Sequence, residues 1–343
     1  MAATPGPWPL RRNPGPLVQH LPTMRALVTG GAGFIGSNIV DALIARGADV
    51  VVLDDLSTGF EENIHPSAEL VVGDVADPGA VAKAVAGCEV VFHEAAHRAV
   101  FRSVERPIET DRANVGGTLA VLVGAKEAGA RRVVTASSSV YGGAGQMPTP
   151  EDAPHLPRSP YAVSKLAGEH YCRVFWELFG LETVMLRYFN VYGPRQRPDS
   201  QYAAVIPLFI EALKAGLPPE VHGDGLQSRD FTFVSDAVAA NLKALEAPAE
   251  RAAGRAFNIA GGNAYTLLDL LSVLQDHLGT DVAPHHVEPR AGDVRHSCAA
   301  IAAAEQDLGF RTSVSFAEGL RLTVDALELQ GDVVGEDVGD ASG

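Results

Sequence analysis

Short apolar runs alternate with longer segments of helical periodicity in the first half of the chain. The predicted strands are RALVTG, DVVVLD, ELVVGD, EVVFHEAA, RRVVTASS and ETVMLRYFN, and segments such as Phe34 to Arg46 and Val81 to Ala86 are predicted helices between them. Strands that are apolar throughout and alternate with helices predict a parallel sheet covered on both faces. The pattern therefore predicts an α/β fold with a doubly wound parallel sheet.

After Asn190 the pattern becomes irregular, and loops rich in Gly, Pro and Arg are mixed with helices. We predict a first domain over 24–190 and a smaller lobe over 191–329, from which some segments return to the first domain. Open parallel sheets bind ligands at the carboxyl ends of their strands, so we expect the lobe to cover that edge. The Pro-rich leader 1–23 and the acidic, Gly-rich tail 330–343 are predicted to be disordered.

Composition and charge exclude several classes of function. The net charge of −15 over 343 residues disfavours a general nucleic-acid or anionic-membrane binder, because both need a basic surface. No apolar run approaches 18 residues, and the leader lacks the apolar core of a signal peptide. The three cysteines show no metal-ligand spacing, which fits reduced thiols. We therefore expect a cytoplasmic protein with no bound metal.

A glycine motif opens the first predicted helix. Gly30, Gly33 and Gly36 have GxxGxxG spacing directly after a strand, where backbone N–H groups and the helix dipole favour a pyrophosphate. Asp54 ends the second strand, 18 residues after Gly36, where a carboxylate accepts hydrogen bonds from ribose hydroxyls. The acidic LDDLSTG stretch would repel a 2′-phosphate. The motif predicts that residues 24–190 form a Rossmann-type domain that binds NAD in preference to NADP.

A tyrosine and a lysine lie four residues apart in SPYAVSKLAGE. On a helix, Tyr161 and Lys165 share one face, so the ammonium reaches toward whatever the phenol contacts. A half-buried ring beside a surface amine is the simpler interpretation of such a pair. The spacing permits general-base chemistry and leaves both interpretations open.

The ordered set of motifs is more specific than any one of them. TGGAGFIG, VVLDDLSTG, GDVAD, HEAA, ASSSVYG, SPYAVSKLAGE, LRYFNVYGPRQ, GDGLQSRDFTFVSD and EPRAGDVRHS occur in this order. The set resembles the extended short-chain dehydrogenase/reductase family, and within it the UDP-sugar 4-epimerases. The resemblance covers about Met24 to Leu327.

The resemblance implies a role for each matching position. Tyr161 would be the general base, Lys165 would hold the nicotinamide ribose and lower the pKa of the phenol, and Ser137 would hydrogen-bond the sugar O4. The implied NAD-binding residues, besides Tyr161 and Lys165, are Gly30, Gly33, Phe34, Ile35, Gly36, Asp54, Ser57, Thr58, Gly59, Asp74, Val75, Ala95, Ala96, Arg98, Asn114, Tyr188 and Phe189. The implied substrate-binding residues, besides Ser137, are Ser138, Asn190, Gln196, Tyr202, Ala204, Val205, Val221, His222, Arg229, Arg290, Asp293 and Ser297.

Arg229 and Arg290 suit bidentate binding of a diphosphate, which would supply a local positive site on an acidic protein. His93, His97 and His222 carry no acid–base role that the sequence supports.

The reaction that the resemblance implies is epimerisation at C4 through a transient 4-keto sugar. The related 4,6-dehydratases carry Thr-Asp-Glu where this chain has Ser137 to Ser139, so dehydration is disfavoured, although an acid could come from elsewhere. A non-catalytic dinucleotide-binding sensor is the alternative from another class, against which intact Ser137, Tyr161 and Lys165 argue.

The sugar is predicted from one pocket position. Ser297 matches the site where epimerases restricted to UDP-glucose and UDP-galactose carry a tyrosine, and a serine leaves room for an N-acetyl group. UDP-GlcNAc and UDP-GalNAc are therefore the predicted pair, with UDP-glucose and UDP-glucuronate as alternatives. The resemblance also implies a homodimer, in which the helices containing Ile108 to Ala128 and Tyr161 to Phe179 pair with their copies.

Overall fold

The structure is a computed structural model of the chain. It describes residues 24–98, 100–143, 145–196, 204–289 and 294–335, with side chains described up to residue 327. The predicted leader, residues 1–23, lies outside this range, as do the last residues of the predicted tail.

The strands and helices follow one another in the order that the apolar pattern predicted. The strands are β1 Arg25–Thr29, β2 Asp49–Asp54, β3 Glu69–Val72, β4 Val90–His93, β5 Arg132–Ser137, β6 Glu182–Tyr188, β7 Val191–Tyr192, β8 Glu220–His222, β9 Ser228–Asp230, β10 Thr232–Phe233, β11 Arg255–Ile259, β12 Ala264–Thr266 and β13 His285–Val287. The α-helices are α1 Phe34–Ala45, α2 Pro78–Val85, α3 Val100–Glu105, α4 Pro107–Asp111, α5 Gly117–Glu127, α6 Pro160–Phe179, α7 Val205–Lys214, α8 Val234–Glu246, α9 Ala249–Ala252, α10 Leu267–Leu278 and α11 Phe316–Gly335. A 3₁₀ turn covers Glu61–Asn63, and π-helical turns cover Arg112–Gly116 and Ala304–Leu308.

Seven parallel strands form one sheet in the order β3-β2-β1-β4-β5-β6-β11. The reversal of strand order at β1 and β4 is the topological switch of a doubly wound sheet. The α/β fold class and all six predicted strands are confirmed. The sequence did not predict β11, which returns from the second half of the chain to pair with β6.

Helices cover both faces of the sheet, which explains why its strands carry no polar face. Alternate strand residues such as Val28 and Phe92 pack against α1 and α8. Their neighbours, such as Leu27 and Val91, pack against α2, α5 and α6. Because both faces are dry, successive side chains on each strand have to be apolar.

The smaller lobe has its own apolar core. Residues of α7, α10 and α11 pack with Val221 and with the aromatic rings of Tyr192, Phe231 and Phe233. Three two-stranded ladders, β7-β10, β9-β12 and β8-β13, connect its loops. The lobe follows β6 in the chain, so it lies next to the carboxyl end of the sheet.

Two predicted boundaries differ in the structure. Helix α2 begins at Pro78 and not at Val81, because Asp77 caps it by accepting a hydrogen bond from the Gly79 N–H at 2.9 Å. Helix α11 continues to Gly335, past the point where the predicted tail begins. Extending an existing helix is easier than starting one, so the weak periodicity after residue 330 does not stop it.

Within the part of the chain that the structure describes, no helix is long and apolar enough to span a membrane. No group of three or more His, Cys, Asp or Glu residues suited to a metal ion occurs in the same part. The thiols of Cys88, Cys172 and Cys298 form no disulfide.

Candidate active site

The predicted site residues converge on the carboxyl edge of the sheet. Strand β1 ends in the glycine motif, β2 ends in Asp54, and β4, β5 and β6 end next to one another with His93, Ser137 and Tyr188. The loops that follow these strands therefore all lie at the same edge of the sheet.

The glycine motif forms a tight turn that only glycine fits. Gly30 has a φ of +70°, and a Cβ on Gly36 would lie 2.1 Å from the Gly30 carbonyl oxygen. Helix α1 starts directly after Gly33, and no side chain caps its first N–H groups. The positive end of the helix is consequently available to an anion such as a pyrophosphate.

Asp54 ties the glycine motif to the second strand. Its carboxylate accepts hydrogen bonds from the Ala32 N–H at 3.0 Å and from the Leu56 N–H at 2.9 Å. Burial raises the pKa of Asp54, and the two backbone hydrogen bonds oppose that shift. Each oxygen keeps a further lone pair, so the buried carboxylate can still accept from ribose hydroxyls.

The loop after Asp54 approaches the glycine motif closely. A Cβ on Gly59 would lie 2.7 Å from the Ala32 Cβ and 3.0 Å from an Asp54 oxygen. Ser57 and Thr58 are exposed, and the Ser57 hydroxyl donates to Asp55 at 2.6 Å.

Two further predicted NAD-binding residues, Asp74 and Asn114, form polar contacts with other residues of the protein. Asp74 forms an ion pair with Arg112 at 2.6 Å. The buried Asn114 side chain accepts from the His97 N–H at 2.8 Å and donates to the His97 carbonyl at 3.1 Å and to Ser164 at 2.9 Å. In the structure, Asn114 thus holds the loop after β4 against α6.

The remaining predicted NAD-binding residues surround the same edge. Ala95 lies so close to the glycine turn that a Cβ on Gly30 would be 2.7 Å from its backbone nitrogen. Phe34 and Ile35 start α1 and are half-buried, as is Ala96, while Val75 is buried and Arg98 is exposed. The Phe189 ring packs 6.2 Å from that of Tyr141.

Tyr161 and Lys165 lie in the first two turns of α6 and point into the protein. Ser159 caps this helix by accepting from the Ala162 N–H at 3.1 Å. Tyr161 is 7% exposed, and the Lys165 ammonium donates to the Ala136 carbonyl at 3.0 Å. The interpretation of this pair as surface residues is therefore excluded.

Burial favours the neutral forms of the Tyr161 phenol and the Lys165 amine. Burial raises the pKa of Tyr161 to about 12, while Arg98 and a hydrogen bond with Ser138 oppose that rise. Burial likewise lowers the pKa of Lys165 to about 8, although the nearby Glu94 carboxylate favours its cation. A positive group placed beside Tyr161 would be needed to favour phenolate near neutral pH.

Ser137, for which the resemblance implied a hydrogen bond to the sugar O4, contacts Glu169 in the structure. The Ser137 hydroxyl is only 2% exposed and donates to Glu169 at 2.5 Å, below the sheet edge. Ser138 follows the last residue of β5 and is half-buried. The Ser138 hydroxyl donates to the Tyr188 carbonyl at 3.0 Å and is close enough to the Tyr161 phenol to lower its pKa. Ser138 is therefore the hydroxyl beside the tyrosine.

Glu169 belongs to a buried polar network beneath the site. Arg187 donates to its two oxygens at 2.9 and 2.7 Å, and also donates to the Tyr141 hydroxyl at 2.6 Å. The Tyr141 hydroxyl in turn donates to Asn258 of β11 at 2.7 Å. The network links α6, β6 and β11, and thereby fixes the strand ends that carry the site.

Glu94 is a site residue that sequence reasoning missed. It follows β4 directly, and its carboxylate accepts from the Tyr188 hydroxyl at 2.9 Å. Burial raises the pKa of Glu94 to about 7. The available signal was the acidic residue inside an otherwise apolar strand end, VVFHEAA.

The predicted substrate-binding residues are only partly described. Tyr202, Arg290 and Asp293 lie outside the described residues. Arg229, on β9, donates to the Ser228 carbonyl at 2.9 Å, and the antiparallel β9-β12 ladder pairs it with Tyr265.

Val221 and His222 differ in the way they meet the lobe. The Val221 side chain is fully buried in the core of the lobe, which leaves only its backbone for a ligand. His222 is half-buried, and its ring contacts the Glu288 carbonyl at 3.0 Å and Glu220 at 3.1 Å.

Asn190 and Gln196 sit where the chain leaves the sheet. Asn190 has a φ of +35°, and its amide donates to the Asp230 carbonyl at 2.9 Å. The Gln196 amide donates to the Val191 carbonyl at 3.1 Å. Ala204 and Val205 form the start of α7.

Ser297 contributes a buried hydroxyl without a hydrogen-bond partner among the residues that the structure describes. Its backbone N–H donates to the Ser228 carbonyl at 3.1 Å, which brings it next to Arg229.

Comparison with known proteins agrees with this geometry. Residues 26–260 match the model of the NAD dependent epimerase/dehydratase family. The chain is 41% identical over 312 residues to a UDP-glucose 4-epimerase of Mycolicibacterium smegmatis, which covers 88% of this chain and 98% of that one. A UDP-glucose 4-epimerase from Thermotoga maritima, solved with UDP-glucose, superposes with a TM-score of 0.86 at 37% identity, covering 90% of this chain and 99% of that one.

A second solved structure is similar to the same extent. It is a UDP-N-acetylglucosamine 4-epimerase from Methanobrevibacter ruminantium in complex with UDP-N-acetylmuramic acid, with a TM-score of 0.85 and 38% identity over 90% of this chain and 99% of that one. These matches confirm the resemblance to extended short-chain dehydrogenases/reductases. The glycine turn, the uncapped start of α1 and the Asp54 carboxylate fit the dinucleotide. The chain belongs to the NAD-dependent epimerase/dehydratase family, and NAD is its cofactor.

Proposed function

We propose that the protein is a UDP-hexose 4-epimerase, an isomerase that inverts C4 of a nucleotide-bound sugar. The observation that carries the proposal is the placement of Tyr161 and Lys165 inside the carboxyl edge of the sheet, with the Ser138 hydroxyl beside the phenol. The M. smegmatis relative and the two solved structures, all 4-epimerases of UDP-sugars, support the same reaction.

Each of these groups has a defined task in the reaction. Tyr161 takes the proton of the 4-hydroxyl while the C4 hydride is accepted by NAD, which yields a 4-keto sugar. Ser138 donates a hydrogen bond to the oxygen at C4, and Lys165 supplies the positive charge that favours phenolate. The return of the hydride to the opposite face of the keto sugar inverts C4, and the proton returns from Tyr161. No net redox change results.

We assign the substrate by the size of the pocket wall at Ser297. A serine is smaller than the tyrosine of the matching position by about a phenol ring, and its buried hydroxyl, which lacks a partner among the described residues, offers one hydrogen-bond donor. We therefore propose UDP-GlcNAc and UDP-GalNAc as the preferred pair. UDP-glucose is the alternative that the M. smegmatis and T. maritima relatives support.

The experiment is turnover on a panel of UDP-sugars by wild type, Ser297→Tyr and Ser297→Ala. The tyrosine should lower kcat/KM for UDP-GlcNAc selectively, whereas the alanine keeps the space and should preserve the preference. Equal losses on both sugars in Ser297→Tyr would reject the role of Ser297. Absence of 4-epimerisation on every UDP-sugar would reject the proposed function.

We also propose that the protein acts as a cytoplasmic homodimer. Support comes from exposed apolar side chains on α3, α4 and α6, including Val104 at 63%, Ile108 at 83% and Leu178 at 70% exposure. Exposed apolar side chains of this size support an interface with a second copy of the chain. The three unpaired cysteines fit a reducing compartment.

In this proposal, two regions of the chain bind the two ligands. Residues 24–190 bind NAD, and residues 191–329 mainly bind the UDP-sugar, while β11 completes the sheet from the second region. Tyr202, Arg290 and Asp293 remain assigned to the UDP-sugar on the motif alone.

A further inference from the structure

The Glu94 carboxyl group occupies the middle of the catalytic edge without a role in the proposed proton transfer. It accepts from the Tyr188 hydroxyl at 2.9 Å, and that hydroxyl accepts from the Asn241 amide at 2.6 Å. The carboxylate is therefore held in place from the side of β6 and α8. Glu94 is half-buried, and a carboxylate withdrawn from water is costly unless a charge or donors nearby compensate it.

Lys165 brings a positive charge to the neighbouring strand end, where the Glu94 carboxylate favours its cation. Its ammonium donates to the Ala136 carbonyl on β5, the strand between β4 and β6, at 3.0 Å. Glu94 and Tyr188 leave the two flanking strands. Three neighbouring strand ends thus bring one anion, one cation and one phenol together.

We propose that Glu94 is a positioning residue that keeps the Lys165 ammonium protonated and fixes the Tyr188 phenol at the sheet edge. Through Lys165, one helical turn after Tyr161 on α6, it maintains the positive charge that the proposed function requires, and to that extent the inference rests on the proposed function.

The other ionisable groups around the pair leave Glu94 as the main anion. Cys172 and Glu169 also favour the Lys165 cation, but less strongly than Glu94 does. Glu169 is already paired with Arg187 at 2.7 Å.

The remaining neighbours are cationic or neutral. Burial raises the pKa of Tyr161, Arg98 lowers it, and the Glu94 charge itself adds to the rise, so Glu94 can support phenolate only through Lys165. His93 is buried as the neutral ring, because burial lowers its pKa to about 3, and it bonds Thr29 and Thr118.

The direction of the charge coupling follows from the environment. Burial raises the pKa of Glu94 to about 7 and lowers that of Lys165 to about 8, so both groups titrate close to neutrality. Each charge favours the other. Removal of the Glu94 charge consequently has to move the loss of the Lys165 proton to lower pH.

The test follows Lys165 directly in the purified protein. The chain has five lysines, Lys83, Lys126, Lys165, Lys214 and Lys243, so ¹³C-labelled lysine side chains give few NMR signals, and Lys165→Arg identifies the one of interest. Glu94→Gln keeps the shape and an acceptor for Tyr188 but has no charge. The midpoint of the Lys165 titration should fall by about one pH unit or more.

Two further variants make the result specific. Glu89→Gln removes the same charge from an exposed position just before β4 and should leave the Lys165 midpoint unchanged. Glu94→Asp keeps the charge but withdraws it by one methylene, so its midpoint should lie between wild type and Glu94→Gln. The basic limb of the pH profile of kcat should move to lower pH by a small amount in Glu94→Asp and by a larger amount in Glu94→Gln.

An unchanged Lys165 midpoint in Glu94→Gln, or an equal shift in Glu89→Gln, would overturn the inference. If Glu94→Gln does not fold, Glu94→Asp decides, because a midpoint equal to that of wild type contradicts the coupling. The titration needs no turnover. Absence of epimerase activity in the wild type would therefore reject the proposed function and leave the Lys165 measurement valid.

Discussion

The two serines at the end of β5 should separate stability from catalysis when they are replaced one at a time. The sequence motif gave the hydroxyl beside the sugar to Ser137, whereas the structure turns Ser137 toward Glu169 and places Ser138 beside Tyr161. Ser137→Ala is therefore expected to weaken the fold, and Ser138→Ala is expected to weaken turnover.

The loss of folding free energy in Ser137→Ala follows from the one hydrogen bond that the Ser137 hydroxyl makes, to Glu169. Its hydroxyl donates to a buried carboxylate, and a hydrogen bond to a charged group contributes about 1.5–3 kcal/mol. Arg187 still donates to the same oxygen at 2.9 Å, which favours the lower half of that range. We expect a loss of about 1.5–2 kcal/mol, or about 2–3 °C in Tm for a chain of this length, with kcat within a few-fold of wild type.

Ser138→Ala removes a donor that acts on the reacting oxygens. Loss of one such donor costs about 10²-fold in kcat. Its effect on stability should be about 1 kcal/mol, because the substitution mainly removes a neutral hydrogen bond to the Tyr188 carbonyl.

Thermal unfolding and steady-state epimerisation of both variants are the measurements. Thr135→Val is the matched control, because it removes a buried hydroxyl two residues earlier on the same side of β5 that makes only a 3.4 Å bond to the His93 carbonyl. The reasoning would be refuted if Ser137→Ala lost 10²-fold in kcat at unchanged Tm while Ser138→Ala kept near-normal turnover.

Three more predictions address the base, the cofactor turn and the pH dependence of folding. Tyr161→Phe should lose ~10²-fold or more in kcat with UDP-sugar affinity within a few-fold, and near-normal turnover would exclude the tyrosine as base. Gly36→Ala should purify with little NAD, because its Cβ would lie 2.1 Å from the Gly30 carbonyl; NAD released on denaturation measures this, and full occupancy contradicts it. His93 has a folded pKa of about 3 against about 6.5 when unfolded, so its contribution to stability is complete above pH 6.5 and falls by about 1.4 kcal/mol per pH unit as the pH drops toward 3. His93→Gln should flatten that part of the stability profile measured by urea unfolding, and an unchanged slope would show that other groups cause the acid sensitivity.

The amino-acid sequence determined those features that depend on local order. Apolar runs flanked by helical periodicity identified six strands of the sheet, because a strand buried on both faces is apolar at nearly every position and can be recognised from its own residues. The spacing of Gly30, Gly33 and Gly36 identified the turn before α1, because glycine is required there by local backbone contacts. The spacing of Tyr161 and Lys165 placed both on one face of α6, although it left open whether that face was buried.

Tertiary structure alone decided which neighbours each group meets. β11 was not predicted, because a short strand at the sheet edge depends on pairing with β6 across the chain. The direction of Ser137 and Ser138 depends on strand register, where a shift of one residue exchanges the two sides. Glu94 is part of the HEAA motif but had no role assigned from the sequence, and its importance arises from Tyr188 and Lys165, which lie 94 and 71 residues away in sequence and close to it in space. Charge, burial and hydrogen bonding act through space, so the electrostatics of the site follow from the packing of β4, β5 and β6.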